Sequence, residues 1–192
     1  MKVKDFKVTI IDRKIAKPFV EKWHYSKNIN GLKIDYCFGL YYDQNLIGVS
    51  IFGKPAMNNQ ASKWNPSNPS KLLELRRLCC IDETPKNTES YFIGKCLKWL
   101  KKNSDIEVII SYADMTYGHE GIIYKASNFK HVGISPGGRV IMYEGKRYHD
   151  KTIRTKYNGN LKPFARKIKE ALELGEAYYS KTEHKHIYLY KL

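Results

Sequence analysis

Ser111 to Gly133 reads SYADMTYGHEGIIYKASNFKHVG. It follows Ile106 to Ile110, a nearly continuous branched apolar run of the kind expected in a strand covered on both faces. The strand thus leads directly into an acid, Asp114, an imidazole, His119, and a phenol, Tyr124, before the chain turns apolar again. A packed core has little use for such groups at the mouth of a buried strand, since each must be hydrogen-bonded or solvated there. After the Gly-flanked turn that holds His119, the residues Ile122, Ile123 and Ala126 fit a helix. Asn128 closes it, because Asn accepts the left-handed backbone of a helix terminus better than other non-glycine residues. Strand, turn and helix therefore place Asp114 at the carboxyl edge of a sheet, where open sheets put their sites.

On the amino-terminal side, Lys7 to Ile11 alternates as a short strand. Ile15 to Trp23 carries Ala16, Phe19, Val20 and Trp23 at helical spacing and ends near His24-Tyr25-Ser26. Tyr36 to Tyr42 and Leu46 to Phe52 flank Asp43-Gln44-Asn45 and form a hairpin. Gly53 to Ser70, rich in Asn, Pro and Ser, reads as a long surface loop with functional potential. Leu72 to Ile81 is a strand interrupted by Arg76 and Arg77. Strict alternation lets at most one of these arginines face a site, and it sets Arg76 on the same face as Glu74. Pro85, Asn87 and Thr88 start a helix whose buried face is Phe92, Ile93, Cys96, Leu97 and Leu100. Beyond the opening stretch, strands at Arg139 to Glu144 and Ile187 to Tyr190 enclose a helix from Pro163 to Leu174. The order argues for an α/β (α+β) fold, a central mixed and mostly antiparallel twisted sheet flanked by helices. One domain over 1–192 is expected, with a basic extension from about residue 145.

The 34 Lys and Arg against 19 Asp and Glu leave a formal charge of +15 on 192 residues, a field that favours a polyanionic partner. Fifteen tyrosines among those cations suit nucleic acid, because aromatic faces stack bases while cations meet phosphates. The run Gly145 to Tyr157, GKRYHDKTIRTKY, offers Lys146, Arg147, Lys151, Arg154 and Lys156 beside Tyr148, His149 and Tyr157. With Arg139 upstream it reads as a phosphate track, the plainer alternative being a solvated basic surface. Cys37, Cys79, Cys80 and Cys96 lack paired zinc spacing and are expected to be reduced, mostly buried thiols in a cytoplasmic protein. Neither an apolar leader segment nor a membrane-spanning run is expected from the sequence.

The order of elements, with YKASNF closing the last helix before a strand, resembles the acetyltransferase superfamily known as GNAT. A longer combination is more specific: WHYSK at Trp23 to Lys27, LELRRLC at Leu73 to Cys79, PKNTESYF at Pro85 to Phe92, and YADMTYGHEGIIYKASNF at Tyr112 to Phe129. Together these resemble the phage Mom family of DNA-adenine modification proteins, which have a GNAT-like fold, over roughly residues 15–150.

That resemblance implies roles. Tyr124, four residues ahead of Asn128-Phe129 where the superfamily has Gly-Phe, matches the phenol that protonates a departing coenzyme A sulfur. Asp114 would accept a proton, orient an amine or ligate a metal, and His119 would stand beside it. His24 and Tyr25 would lie near the reacting base as orienting groups or, with Asp114, as a mixed nitrogen and oxygen set for iron. Arg76 would serve the donor. The superfamily's glycine-rich pyrophosphate turn is replaced here by KNTESYFIG, in which Lys86, Asn87, Thr88 and Ser90 could still offer charge, amides and hydroxyls to an anion. Acetyl-coenzyme A or a related donor is therefore implied. Adenine in duplex DNA would be flipped out and stacked on Trp64 or Tyr25.

The family's product carries a carbamoylmethyl group on the exocyclic amine and protects DNA from restriction. Its new nitrogen bond is to a methylene carbon, so plain acyl transfer is not the whole reaction. Two alternatives stand beside this reading: an ordinary acetyltransferase acting on a protein or small-molecule amine, and a nucleic-acid-binding protein without catalysis.

Overall fold

The computed structural model describes residues 1–192, the side chain of Asn58 excepted. The chain runs through β1 (Lys7–Ile10), α1 (Arg13–Trp23), β2 (Ile34–Tyr42), β3 (Asn45–Gly53), α2 (Asn58–Trp64) and β4 (Leu72–Cys80). Next come α3 (Thr88–Asn103), β5 (Val108–Asp114), α4 (Ile122–Ala126), β6 (Lys130–Ser135), β7 (Arg139–Tyr143) and β8 (Lys146–His149). The remainder is β9 (Lys156–Tyr157), β10 (Asn160–Leu161), α5 (Pro163–Glu173), β11 (Tyr178–Lys181) and β12 (Lys185–Lys191).

The principal sheet has the order β1-β2-β3-β4-β5-β12-β6. The pairs from β1 to β4 are antiparallel and β4–β5 is parallel, which matches the mixed, mostly antiparallel expectation. The β2–β3 hairpin turns on Asp43 and Gln44, whose φ values of 49° and 65° form the pair of left-handed residues that suits the twist of a two-residue hairpin. Asn128 adopts φ 62° just past α4, as its place in the sequence predicts, and the Phe129 amide returns to the Tyr124 carbonyl at 3.0 Å.

Packing divides the chain into two compact units, one of residues 1–113, 120–133 and 186–192, the other of residues 114–119 and 134–185. In the first, one sheet face packs Phe38, Leu40, Phe52, Leu73 and Ile109 against Phe92, Ile93, Cys96, Leu97 and Leu100 of α3 and Tyr124 of α4. Phe92, Ile93 and Leu100 are fully enclosed, and burial of each side chain contributes about 1.5–3 kcal/mol. The opposite face packs Ala16 and Val20 of α1 on Cys37, Val49, Ile51 and Cys79, with Leu72, Val108, Ile110 and Ile187 forming a neighbouring cluster. The cysteines are free, and burial pushes the thiols up, Cys37 to about 11 and Cys79 to about 12, so they pack as apolar groups.

Two irregularities in β4 shape its carboxyl-terminal half. Ile51 pairs with Arg77 and Phe52 with Leu75, which leaves Arg76 as the extra residue of a β-bulge. The β4–β5 ladder comprises Leu72–Val108, Leu73–Ile109 and Glu74–Ile110, and beyond it the two strands run on to Cys80 and Asp114 without pairing to each other, β4 remaining paired to β3.

Residues 53–70 are not one loop. They hold α2 and lead into a single 3₁₀ turn at Pro69–Lys71, because Ala61 and Trp64 find an apolar surface to cover. The basic run expected as an extension is likewise built into regular structure. In the second unit β8 pairs with β7 and β7 with β11, and Ile141, Tyr143, Ile168, Ala171 and Ala177 form a hydrophobic cluster there.

Candidate active site

Where β4 and β5 part, side chains from both faces of the first unit gather. Ser111 and Ala113 continue the β5 face that holds Ile109, and the Ser111 hydroxyl reaches back to the Leu75 carbonyl at 3.4 Å. Tyr124 lies on the same side, 9% exposed, with Ser111 as a hydrogen-bond partner. Burial pushes its phenol up to about 12, and the negative ends of Tyr25 and Glu74 push in the same direction. Tyr124 is thus a proton-bearing group throughout the neutral range. Its ring also packs against Phe129 and Tyr188, at 5.7 and 5.2 Å between centroids.

His24 caps α1, its amide donating to the Val20 carbonyl at 3.0 Å. The ring is 6% exposed, and its Nδ1 accepts the Ser26 amide at 3.0 Å with the Ser26 hydroxyl 2.8 Å away. An amide donor aimed at Nδ1 places the proton of the neutral ring on Nε2, which makes that nitrogen a hydrogen-bond donor. Tyr25 packs against the His24 ring at 4.2 Å between centroids, the planes tilted by 33°, and keeps 45% of its surface exposed. It is the partly open aromatic of the group.

Glu74 and Arg76 form an ion pair of 2.8 Å with only 15% and 11% of their side chains exposed, not the surface pair that strand alternation suggests. The bulge moves Arg76 out of the regular register. Its Nε is buried and meets no hydrogen-bond partner among the described residues. Arg77 donates to the Asn28 carbonyl at 3.2 Å and the Arg76 carbonyl at 2.7 Å, tying the segment after α1 to β4. Burial lowers the Arg77 pKa, opposed by Tyr25. Tyr112 is pushed up to about 12 by burial and then by Glu74, and its hydroxyl lies 3.0 Å from Gln60 Oε1.

The structure therefore brings His24, Tyr25, Arg76 and Tyr124 to one region and adds Glu74, Arg77, Ser111 and Tyr112. Ser111 could have been read from the sequence, as a lone hydroxyl in a Val and Ile strand. The burial of Glu74 could not, since no pattern announces a bulge.

Asp114 and His119 belong to the second unit. The Asp114 side chain is 6% exposed, pairs with Lys185 Nζ at 2.8 Å and accepts the Thr116 amide at 3.1 Å. Burial alone would raise its pKa, but Lys185 and Thr116 outweigh it and hold the carboxyl below its ordinary value. His119 is exposed, 6.2 Å from the Tyr117 ring, and its amide meets the Asp114 carbonyl at 3.4 Å.

The iron set does not fit. His24 presents a protonated Nε2 with Nδ1 occupied, Asp114 is neutralised by Lys185, and no group of three or more His, Cys, Asp or Glu among the described residues could hold a metal ion.

An anion does fit the start of α3. Asn87 takes φ 70° at the cap, the Thr88 amide donates to the Pro85 carbonyl at 3.2 Å, and the Glu89 and Ser90 amides lack intrahelical acceptors, with exposed Lys86 nearby. The hydroxyl contribution needs correcting. Thr88 is buried and donates to the Pro85 carbonyl at 2.6 Å, and Ser90 donates to the Asn87 carbonyl at 3.1 Å. Backbone amide and lysine charge remain for a ligand.

The base-stacking role expected of Trp64 also meets an obstacle. Its ring packs on the cluster of Leu72, Val108, Ile110 and Ile187, its indole donates to Gln60 at 3.1 Å, and Lys63 lies over it at 4.9 Å. In the second unit, Arg139 lies 4.1 Å over Tyr179, Arg147 donates to Tyr117 at 2.7 Å, and Arg154 pairs with Asp150 at 2.8 Å. Lys146, Lys151 and Lys156 are exposed.

A model of the Mom protein family matches residues 5–192, nearly the whole chain. The chain belongs to the Mom family. The methylcarbamoylase Mom of Escherichia phage Mu is 28% identical over 153 residues, which cover 78% of this chain and 62% of that protein. The chain is thus matched to less than two thirds of that Mom relative's length. Among solved structures, an N-acetyltransferase from Staphylococcus aureus Mu50 superposes with TM-score 0.53 at 9% identity, covering 97% of each chain. A GNAT acetyltransferase from Elizabethkingia anophelis with acetyl-coenzyme A bound superposes with TM-score 0.50 at 6% identity over 98% of this chain and 99% of the other. At such identities these likenesses establish the GNAT fold alone, and this Mom chain has it.

Proposed function

We propose that this protein is a phage-type DNA modification enzyme that places a carbamoylmethyl group on the exocyclic amine of adenine and so protects DNA from restriction. Membership of the family that contains a phage Mu methylcarbamoylase supports the reaction class, and the charge of +15 supports a nucleic-acid substrate. The observation that carries the proposal is Tyr124: a buried phenol, pushed up to about 12, held by Ser111 where β4 and β5 separate.

At neutral pH such a phenol gives a proton and does not take one. Tyr124 would therefore protonate a leaving group. His24, with hydrogen on Nε2, would orient the base, and the exposed Tyr25 ring would stack on a flipped adenine. The donor is taken to be acetyl-coenzyme A or a relative, as in the acetyl-coenzyme A complex of this fold, with the Glu89 and Ser90 amides and Lys86 receiving its diphosphate. A donor that carries the carbamoylmethyl group on sulfur closes the balance: the adenine nitrogen–methylene bond forms as the methylene–sulfur bond breaks, the amine proton is released, and the departing thiolate takes its proton from Tyr124. Acetyl-coenzyme A itself would in addition need an amine for the amide nitrogen and a two-electron oxidant for its methyl carbon. Lys146, Lys151 and Lys156 with Arg139, Arg147 and Arg154 would meet DNA phosphates.

The test is nucleoside mass spectrometry of plasmid DNA from cells that produce the protein. A heavier deoxyadenosine species that disappears in Tyr124→Phe is expected. An unmodified profile alongside soluble, folded protein would overturn the assignment.

A further inference from the structure

Arg76 has more donors in the first unit than acceptors to meet them. One guanidinium nitrogen binds Glu74 at 2.8 Å, the pair is largely enclosed, and the Nε–H is left without an acceptor among the described residues. A buried donor in that state typically costs about 1–3 kcal/mol, so its persistence asks for a ligand atom that completes it. The bulge sets this N–H beside the end of the β4–β5 ladder, on the pair whose members act electrostatically on Tyr112 and, through Glu74, on Tyr124.

The chemistry of the missing acceptor is set by charge. A guanidinium already balanced by a carboxylate at 2.8 Å has its enclosed Nε–H to give and little net charge to satisfy. A carboxylate or phosphate would add a second anion next to Glu74 and meet its repulsion in an enclosed setting. A neutral carbonyl oxygen accepts the same hydrogen bond without that penalty. Such an oxygen could come from the amide of a carbamoyl group or from an acyl thioester.

We infer that the Glu74–Arg76 pair is a specificity device that receives a neutral carbonyl oxygen of the transferred group on Arg76 Nε and rejects an anionic counterpart. This rests on the proposed function for its placement in the donor site. Glu74 acts as a positioning residue, since it fixes the guanidinium and cancels its charge.

The experiment is calorimetric titration of the full-length protein with stable thioethers: S-carbamoylmethyl-coenzyme A, which is neutral at its end, and S-carboxymethyl-coenzyme A, which is anionic. Acetyl-coenzyme A and free coenzyme A complete the series. The unmodified protein should bind the carbamoylmethyl compound at least tenfold more tightly than the carboxymethyl one. Acetyl-coenzyme A bound as tightly as the carbamoylmethyl compound identifies the thioester oxygen as the source, and a weaker acetyl arm identifies the amide.

Glu74→Gln, which leaves the guanidinium charge uncompensated, should invert the preference. Arg76→Lys keeps the charge, loses the Nε donor, and should bring the two within about twofold. Equal binding by the unmodified protein, a preference for the carboxylate, or no binding of either overturns the inference whether or not the variants fold. Modified adenine in DNA alongside equal binding would sink this inference and leave the proposed function standing. The reverse combination would do the opposite.

Discussion

Tyr124 is where residue-scale chemistry is most exposed to test. Tyr124→Phe keeps the ring between Phe129 and Tyr188 and removes only the hydroxyl, so the melting temperature should hold while modification in cells falls about 10²–10⁴-fold. With the phenol pushed up to about 12, the alkaline limb of activity up to about pH 9 should show no loss from its ionisation. Asp114 makes a separate prediction. Its folded pKa lies below the ordinary carboxylate value, so its contribution to stability is present above that value and disappears as pH falls through the lowered one. Asp114→Asn should therefore cost about 1–3 kcal/mol near pH 7, and the difference from the unmodified protein should shrink below about pH 4 in urea titrations. Both residues stand out in the sequence as candidates, because a phenol and an acid follow an apolar strand, and their burial adds what the sequence does not state. The Glu74–Arg76 burial was illegible for the opposite reason: two charges in a strand look like a solvated face until an extra residue breaks the alternation.

Elements were read best where a period or a turn was strong. The amphipathic α3, the branched core of β5 and the hairpin over Asp43-Gln44 all lie where the residues put them. The short pieces were harder: α2 has seven residues, and its helical state comes from the surface it covers more than from its Asn-rich composition. β5 also runs on to Asp114, because Ser111 and Ala113 remain on the packed face. The turn into α4 carries the sharpest element-scale prediction. Gly121 holds φ 75°, and a Cβ there would lie 2.3 Å from the Tyr188 ring, whose hydroxyl is anchored on the Glu120 carbonyl at 3.0 Å. Gly121→Ala combines left-handed strain with a clash against a fixed ring, so it should destabilise the protein by about 2–4 kcal/mol. Thermal denaturation measures it, and a displaced Tyr124 should also abolish modification.

For the whole molecule, net charge was legible and its arrangement was not. The run from Gly145 to Tyr157 reads as a basic extension, yet β8 pairs with β7, and Arg147 and Arg154 are engaged with Tyr117 and Asp150. β8 reads KRYH, four residues with no apolar alternation to announce a strand. Lys146, Lys151 and Lys156 are exposed cations of the run. Replacing the three with Ala should weaken duplex binding uniformly across sequences. The slope of log affinity against log salt should fall by about 1 for each phosphate no longer neutralised, measured by fluorescence anisotropy. An unchanged slope would remove this run from the DNA-contacting surface. The strand order also bears on synthesis. β12, built from residues 185–191, sits between β5 and β6. Until the ribosome releases those residues, β5 presents an unpaired edge and β6 has no neighbour on that side, so a nascent chain is open to mispairing until residues 185–191 have emerged.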